Sequence, residues 1–332
     1  MYTKPSLTHT IKNLIIGRAR NPHDREVFHK LSLIAFFAWI GLGADGLSSS
    51  AYGPEEAFLA LQGHTYLGIF VALGSALTVL VISASYSQII ELFPSGGGGY
   101  LVASKLLSPS VGMLSGCALI IDYVLTITIS IASGADALFS FFPAGWRDYK
   151  LEFAIAGVVV LTILNLRGVK ESVVPLTPIF MTFIITHVIA IGYALLTHAR
   201  DFGAVTTAAI EDLQNSHMEL GFAGIMILLL RAYSMGAGTY TGIEAVSNGL
   251  PILREPKVQT AKRTMSYMAF SLAITVFGLM FAYVLYAVQP QAGKTLNAVL
   301  FERISENWQP SWGQSFVWLT LFSEAMLLFI AA

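Results

Sequence analysis

The sequence predicts an all-α polytopic membrane protein, and three observations carry that prediction. Hydrophobic residues make up 55% of the 332 positions and charged residues only 12%, with a mean hydropathy of +0.67. Ordinary soluble domains carry about 25% charged residues. Apolar stretches of about 20 residues or more recur along the chain, the length an α-helix needs to cross the hydrocarbon core of a bilayer. Two of these stretches are interrupted by glycines, hydroxyls and an acid, which a lipid-crossing helix tolerates only beside a cavity or inside protein.

The elements follow in order. Residues 1–30 are polar and basic and lack the apolar centre and small-residue cleavage site of a signal peptide. They form a cytoplasmic N-terminal segment, and residues 31–332 form the membrane domain. Eight hydrophobic segments are expected, at roughly 31–62, 65–92, 111–141, 152–168, 174–197, 219–250, 264–288 and 314–332. The first, third and sixth are too long for one straight crossing, so they are tilted, broken or extended. Lys and Arg number 13 on the side of the N-terminal segment and 5 on the other, with Arg231 inside a span. The basic side faces the cytoplasm. The last segment ends the chain at Ala332 without interfacial anchors, so a truncated chain is expected.

The net charge of −1 offers no basic surface for nucleic acid, and the lone cysteine, Cys117, excludes an intramolecular disulfide. The sequence holds no H-E-x-x-H motif, and no Ser/His/Asp grouping with sensible membrane placement is apparent. No enzyme activity and no cofactor are expected.

The first segment carries GADGLSSSAYG (Gly43 to Gly53), and the sixth carries SMGAGTYTGIEAVSNG (Ser234 to Gly249). The breaks fall near Asp45 and near Gly238. Five spans separate them, so they sit in two halves of opposite topology. Paired interrupted helices at matching places in inverted halves point to the central site of a transporter. An unwound turn frees carbonyls that suit cations and amides that suit anions. Gly43, Gly46, Gly236, Gly238 and Gly242 are the backbone positions such breaks need. The alternative for these glycines is close helix packing, which suffices for Gly112 and Gly116.

Three acids lie inside apolar spans: Asp45, Asp122 and Glu244. An acid at mid-bilayer costs about 2.5–3.5 kcal/mol even on the lenient insertion scale, so each faces a cavity or a partner. Thr126 and Ser130 follow Asp122 at i+4 and i+8, on one stripe of the third helix. Ser48, Ser49 and Tyr52 follow Asp45 within two turns, and Thr241 precedes Glu244 by three. All three clusters offer oxygen alone. Without His or Cys they disfavour zinc, copper or iron and suit alkali or alkaline-earth ions. A buried acid with like-charged neighbours is also able to carry a transported proton. Against this stands the ordinary role of membrane Ser and Thr in bonding their own helix backbone. An Asp122–Arg231 ion pair is a further structural alternative. Asp136 is expected to be interfacial, Glu55 and Glu56 a solvated rim, and His187 a packed, satisfied residue.

FPSGGGGY (Phe93 to Tyr100) lacks the Lys-Ser/Thr of a phosphate loop. Gly96, Gly97, Gly98 and Gly99 therefore read as a re-entrant turn or close-packed gate. REPKVQTAKRT (Arg254 to Thr264) reads as a basic connector on the cytoplasmic side.

DGLSSSAYG, FPSGGGGYLVASK, IDYVLTITISIASGADA, LNLRGVKESV and TGIEAVSNGLP together resemble the KimA-like potassium importers, of the KUP group in the amino acid–polyamine–organocation (APC) superfamily. The resemblance runs from about Lys30 to the end. It implies a LeuT-like fold of two inverted five-helix repeats, with helices 1–5 as the first repeat and 6–8 as an incomplete second. It implies proton-coupled potassium symport, with potassium and proton as the transported species, and a homodimer in the bilayer. The cation-site residues of such importers carry over to Asp45, Tyr52, Asp122, Thr126, Ser130, Thr241 and Glu244, each holding the residue type the motif requires. Asp45, Asp122 and Glu244 are the proton-coupling candidates. A tyrosine from a tenth helix and a cytoplasmic C-terminal domain, both implied by the resemblance, are absent from these 332 residues. Two rival readings remain: an APC-type amino acid or polyamine permease, and a non-transporting truncated pseudo-transporter.

Overall fold

The first apolar segment forms two helices rather than one. In the computed structural model, which describes residues 32–165 and 170–332, α1 (Ala35–Ser48) ends in a single 3-10 turn at Ser49–Ala51, and α2 (Gly53–Leu59) resumes with Pro54 in its first turn. Proline is tolerated there because its missing N–H has no helical partner to lose. The second segment forms α3 (Gly68–Leu92). The basic segment 1–30, together with Arg167 and Gly168 of the LNLRGVKESV motif, lies outside the described residues.

The glycine run after α3 turns through left-handed backbone at Gly96 and Gly97 and opens a short helix, α4 (Gly98–Leu106). The third segment is α5 (Pro109–Phe139), capped by Ser108, whose Oγ accepts from the Val111 amide at 3.2 Å. Such a cap contributes about 1 kcal/mol. Then come α6 (Lys150–Asn165), α7 (Lys170–Thr197) and α8 (Phe202–Met235). Within α8 the helical path is broken at Gly221 (φ 69°), so the sixth span begins there and residues 202–220 form a preceding helix that the hydrophobic pattern did not predict. A 3-10 stretch, Gly236–Tyr240, follows, and then a four-residue helix, α9 (Ala245–Asn248). The chain continues through α10 (Lys257–Leu285), α11 (Leu296–Ser305) and α12 (Pro310–Ala331).

Six described helical stretches are long and apolar enough to cross a membrane. The first predicted span is not among them because it is broken, nor is the fourth, whose helix has 16 residues. The outer faces of α5 and α6 expose Ile120, Ile121 and Val124, and Val158, Val159 and Val160. In water this would be an error of patterning; facing lipid it is the expected solution.

Two large apolar cores follow one another along the molecule. One, along α1, gathers Ile40, Leu47, Phe180, Phe183, Ile243 and Met268. The other gathers Phe58, Leu61, Leu67, Tyr283, Leu300 and Phe301. Helix α10 threads both, with Met265 and Leu272 in the first and Leu279 and Tyr283 in the second. The break at residues 49–52 belongs to neither core, and Ala51 and Tyr52 pack with Leu328 instead; the second break joins the first core through Ile243. The chain leading into α1 is tied to the segment after α9. Leu33 and Leu253 form a parallel β-bridge, in which the Leu33 amide donates to the Ile252 carbonyl at 3.0 Å and the Arg254 amide to the Leu33 carbonyl at 2.9 Å.

Candidate functional site: two facing helix breaks

The first break falls later than the sequence indicated. Asp45 is in regular α-helix, and the backbone unwinds only at Ser49–Tyr52. Gly43 and Gly46 do not open the helix. A side chain at Gly43 would meet Trp39 and Met268, and one at Gly46 would lie 3.4 Å from Met268 Sδ, so both serve close packing against α10. The unwound carbonyls are also less free than expected. The hydroxyls of Ser48, Ser49 and Ser50 donate to the carbonyls of Asp45, Gly46 and Leu47 respectively. This is the usual recourse of serine in a helix. The turn is stabilised by its own side chains, and the carboxylates, not the carbonyls, are what it presents.

The second break lies directly against the first. Ser49 Oγ also donates to the Thr239 carbonyl at 3.1 Å, and the Tyr52 hydroxyl reaches the Gly238 carbonyl at 3.5 Å. The predicted glycines explain the closeness. A Cβ on Gly238 would stand 2.6 Å from the Tyr52 ring, and one on Gly242 would stand 2.7 Å from the Asp45 carboxyl. Gly242 also has φ +79°, which only glycine adopts without strain. Gly236 admits Ala57 of α2. These three glycines are what bring the two halves into contact.

The predicted residues of the two breaks, Asp45, Tyr52, Thr241 and Glu244, meet at this contact. Tyr52 and Thr241 are in side-chain hydrogen-bond reach, and the charges of Asp45, Glu244 and Asp122 bear on one another. Thr241 Oγ1 donates to the Gly238 carbonyl at 2.7 Å. Glu244 and Tyr52 are buried, Asp45 and Asp122 partly so. Asp45 Oδ1 and Glu244 Oε1 are buried without a hydrogen-bond partner. Thr126 and Ser130 are the buried positions one and two turns on from Asp122, and Ser130 Oγ is also unpartnered. Buried polar atoms in native folds are normally satisfied, so these orphaned oxygens make the residues that carry them candidates for holding a ligand. Among the described residues, no group of His, Cys, Asp and Glu has the arrangement of a protein-held metal centre.

The alternatives resolve in part. Asp122 and Arg231 form no ion pair; Arg231 is exposed. Asp136 pairs with Lys150 at the end of α5. Gly112 and Gly116 pack on Ser104 and Tyr100 of α4, as expected of a small-residue pair. The glycine run packs closely too: side chains at Gly96 and Gly98 would strike Pro251 and Asn248, beside the second break. A grouping the sequence reading missed is Ser216, His64 and Asp212. Both partners meet the same nitrogen, His64 Nδ1, at 2.7 and 3.3 Å, and Ser216 is fully buried. A nucleophilic relay needs its acid and its nucleophile on opposite ring nitrogens, so this cluster is a structural tie.

Above the breaks, on the α2 side, opens a cavity of about 280 Å³ lined by Tyr52, Glu55, Glu56, Asp136, Lys294 and Glu324, among others. Glu55 and Glu56 both line it; Glu56 is exposed, as a solvated rim would be, whereas Glu55 is half-buried. The Glu55 carboxylate lies near the backbone amide of Leu296, the first residue of α11, where the helix dipole favours an anion. Neither α11 nor Glu324 was singled out from the sequence.

Comparison with known proteins agrees with this geometry. The amino acid permease family model matches residues 31–332. The potassium transporter KimA of Bacillus subtilis (strain 168) is 34% identical over 294 residues, covering 87% of this chain and 47% of that protein. The low-affinity putrescine importer PlaP of Escherichia coli (strain K12) is 25% identical over 240 residues, covering 70% of this chain and 49% of that protein. The chain thus spans about half the length of the curated relatives it matches. With its family match, its all-helical build and its two abutting breaks, it belongs to the amino acid permease family of the APC superfamily, a multi-pass membrane protein of LeuT-like fold.

Proposed function

We propose that the protein is a secondary active transporter that takes up potassium coupled to protons. The observation that carries this reading is the oxygen-only constellation where the breaks meet, with Asp45, Asp122 and Glu244 sharing one electrostatic environment. Potassium binds by exchanging hydration oxygens for protein oxygens. Tyr52, Thr126, Ser130 and Thr241 supply neutral oxygens, and the three acids supply charge. At least one of the acids exchanges a proton during the cycle. The similarity to KimA supports this choice of cargo. The N-terminal segment 1–30 faces the cytoplasm by its basic excess. The working unit in the bilayer is a homodimer, residues 31–332 are the transporter domain, and the glycine run beside Asn248 acts as an inner gate.

A second reading is favoured by the similarity to PlaP and by the acids themselves, which suit the ammonium groups of a polyamine. The test is expression of the full-length gene product in cells that lack potassium uptake. Growth at limiting potassium is expected, and D45N, D122N and E244Q are each expected to abolish it. If growth is not restored while labelled putrescine accumulates, the potassium reading fails and the polyamine reading stands.

A further inference from the structure

A second buried ionisable pair lies away from the proposed cation site. Glu324 of α12 and His187 of α7 are each 1% exposed, with His187 Nε2 3.8 Å from Glu324 Oε1. That separation is too long for a direct hydrogen bond and short enough for one charge to feel the other strongly. His187 Nδ1 sits 2.8 Å from the Phe183 carbonyl. A carbonyl only accepts, so Nδ1 carries the hydrogen and Nε2 is left with a lone pair when the ring is neutral. The ring is held in this pose by stacking on Phe183, with centroids 3.9 Å apart, and by the edge of Phe301. Nε2 and Glu324 Oε2 are both buried without a hydrogen-bond partner.

The rest of the surroundings is fully engaged. Asn297 of α11 donates to Glu324 Oε1 and, at 3.4 Å, to the Ala51 carbonyl of the first break. Its own oxygen accepts from the Tyr283 hydroxyl at 2.5 Å. Asn297 thereby fixes one carboxylate oxygen and leaves the other open. An ionised carboxylate offers about four acceptor positions, and here the protein fills one. Glu324 is also part of the cavity lining. Facing the pair are Glu55 from α2, Tyr283 from α10 and Tyr52 from the first break. Across the cavity stand Glu56, Asp136 and Lys294. Lys294 is held by Glu302 and Lys150 by Asp136, so neither cation is a free counter-charge for Glu324.

We propose that Glu324 and His187 form a proton-binding site, separate from the cation site and loaded from the cavity through Glu324 Oε2. A proton arriving from cavity water binds Glu324. The neutral acid is held with the Nε2 lone pair of His187 as its neighbouring acceptor, while Nδ1–H stays on the Phe183 carbonyl. Return of the proton to the cavity restores the carboxylate. Asn297 spans the pair and the first break, so the state of Glu324 is felt at Ala51, beside Tyr52.

This deepens the reading of proton-coupled uptake and rests on it for the use made of the proton, though not for its binding. The test therefore begins with purified full-length protein and infrared difference spectra taken across a pH titration. A carbonyl band of a protonated carboxylic acid is expected, absent in E324Q, with a midpoint that moves by about one pH unit or more in H187N. Gln keeps the acceptor for Asn297, so a purely structural Glu324 would leave E324Q with the wild-type pH profile. In proteoliposomes E324Q is expected to retain thermal stabilisation by potassium and to lose accumulation driven by a pH gradient about tenfold or more. An unchanged band in E324Q, or an unmoved midpoint in H187N, overturns the proposal. Should E324Q fail to fold, the H187N midpoint alone decides it. If wild-type protein accumulates no potassium while the band and its loss in E324Q persist, the cargo is wrong and the proton site stands.

Discussion

The two helix breaks solve one problem with different materials. The first, at Ser49–Tyr52, is a single tight turn whose serine hydroxyls cap the carbonyls behind it. The second, from Gly236 to Glu244, is longer and is shaped by glycine, with left-handed backbone at Gly242. A serine turn is cheap because its polar groups are satisfied locally. A glycine turn leaves space, and the first half fills that space: the Tyr52 ring lies over Gly238 and the Asp45 carboxyl over Gly242. One half contributes reach and the other contributes room. The difference teaches that the two sides of the candidate site tolerate substitution very unequally.

The largest expected effect is therefore at Gly242. In G242A the strained φ costs about 1–3 kcal/mol, and the new methyl lies 2.7 Å from both the Asp45 carboxyl and the Gly46 amide. Uptake should be lost and the melting temperature in detergent should fall. G238A comes next, since the Tyr52 ring is able to shift where backbone is not. The methyl would meet the ring at 2.6 Å, and trimming Tyr52 to leucine in the same chain should relieve the clash. A double-mutant cycle on melting free energies should return a coupling of about 0.5–3 kcal/mol; zero coupling would break the fit described above. S49A is expected to be milder. It removes one hydroxyl shared between the Gly46 and Thr239 carbonyls, at about 1 kcal/mol, measured by thermal unfolding. G46A should be the mildest, less than about 1 kcal/mol, because the atom it meets is the flexible end of Met268 at 3.4 Å. Were G46A to damage the protein as much as G242A, the contrast between the breaks would be lost.

That ordering also marks where the sequence was legible. The second break was found almost in place, because GAGTYTG has no helical reading. The first was placed four residues early, at Asp45. Gly43 and Gly46 drew attention to it, yet a helix tolerates glycine where a neighbour such as Met268 needs the room. The residues that unwind, Ser49 to Tyr52, carry no breaker among them. The three acids of the candidate site were legible because acids are costly in lipid and stand out, and Thr126 and Ser130 followed from their spacing after Asp122. Glu324 escaped notice, and His187 was expected to be packed and satisfied although its Nε2 is buried without a partner: each is solitary on its own helix, and only the packing of α7 on α12 joins them. Helix α11 had a usable signal that went unread. Thr295 caps it by accepting from the Ala298 amide at 3.2 Å, and Leu296, Val299, Leu300 and Ile304 repeat at helical spacing. Its short length and charged flanks made it look like a loop.

The β-bridge between Leu33 and Leu253 has a mechanical corollary. Its two backbone bonds rivet the foot of the first half to the foot of the second. Neither end can swing by itself without tearing them. Any motion that uncovers the Asp45–Glu244 region from below must carry residues 33 and 253 together, as one hinged plate. The flexing then has to occur higher up, at the serine turn and the glycine turn.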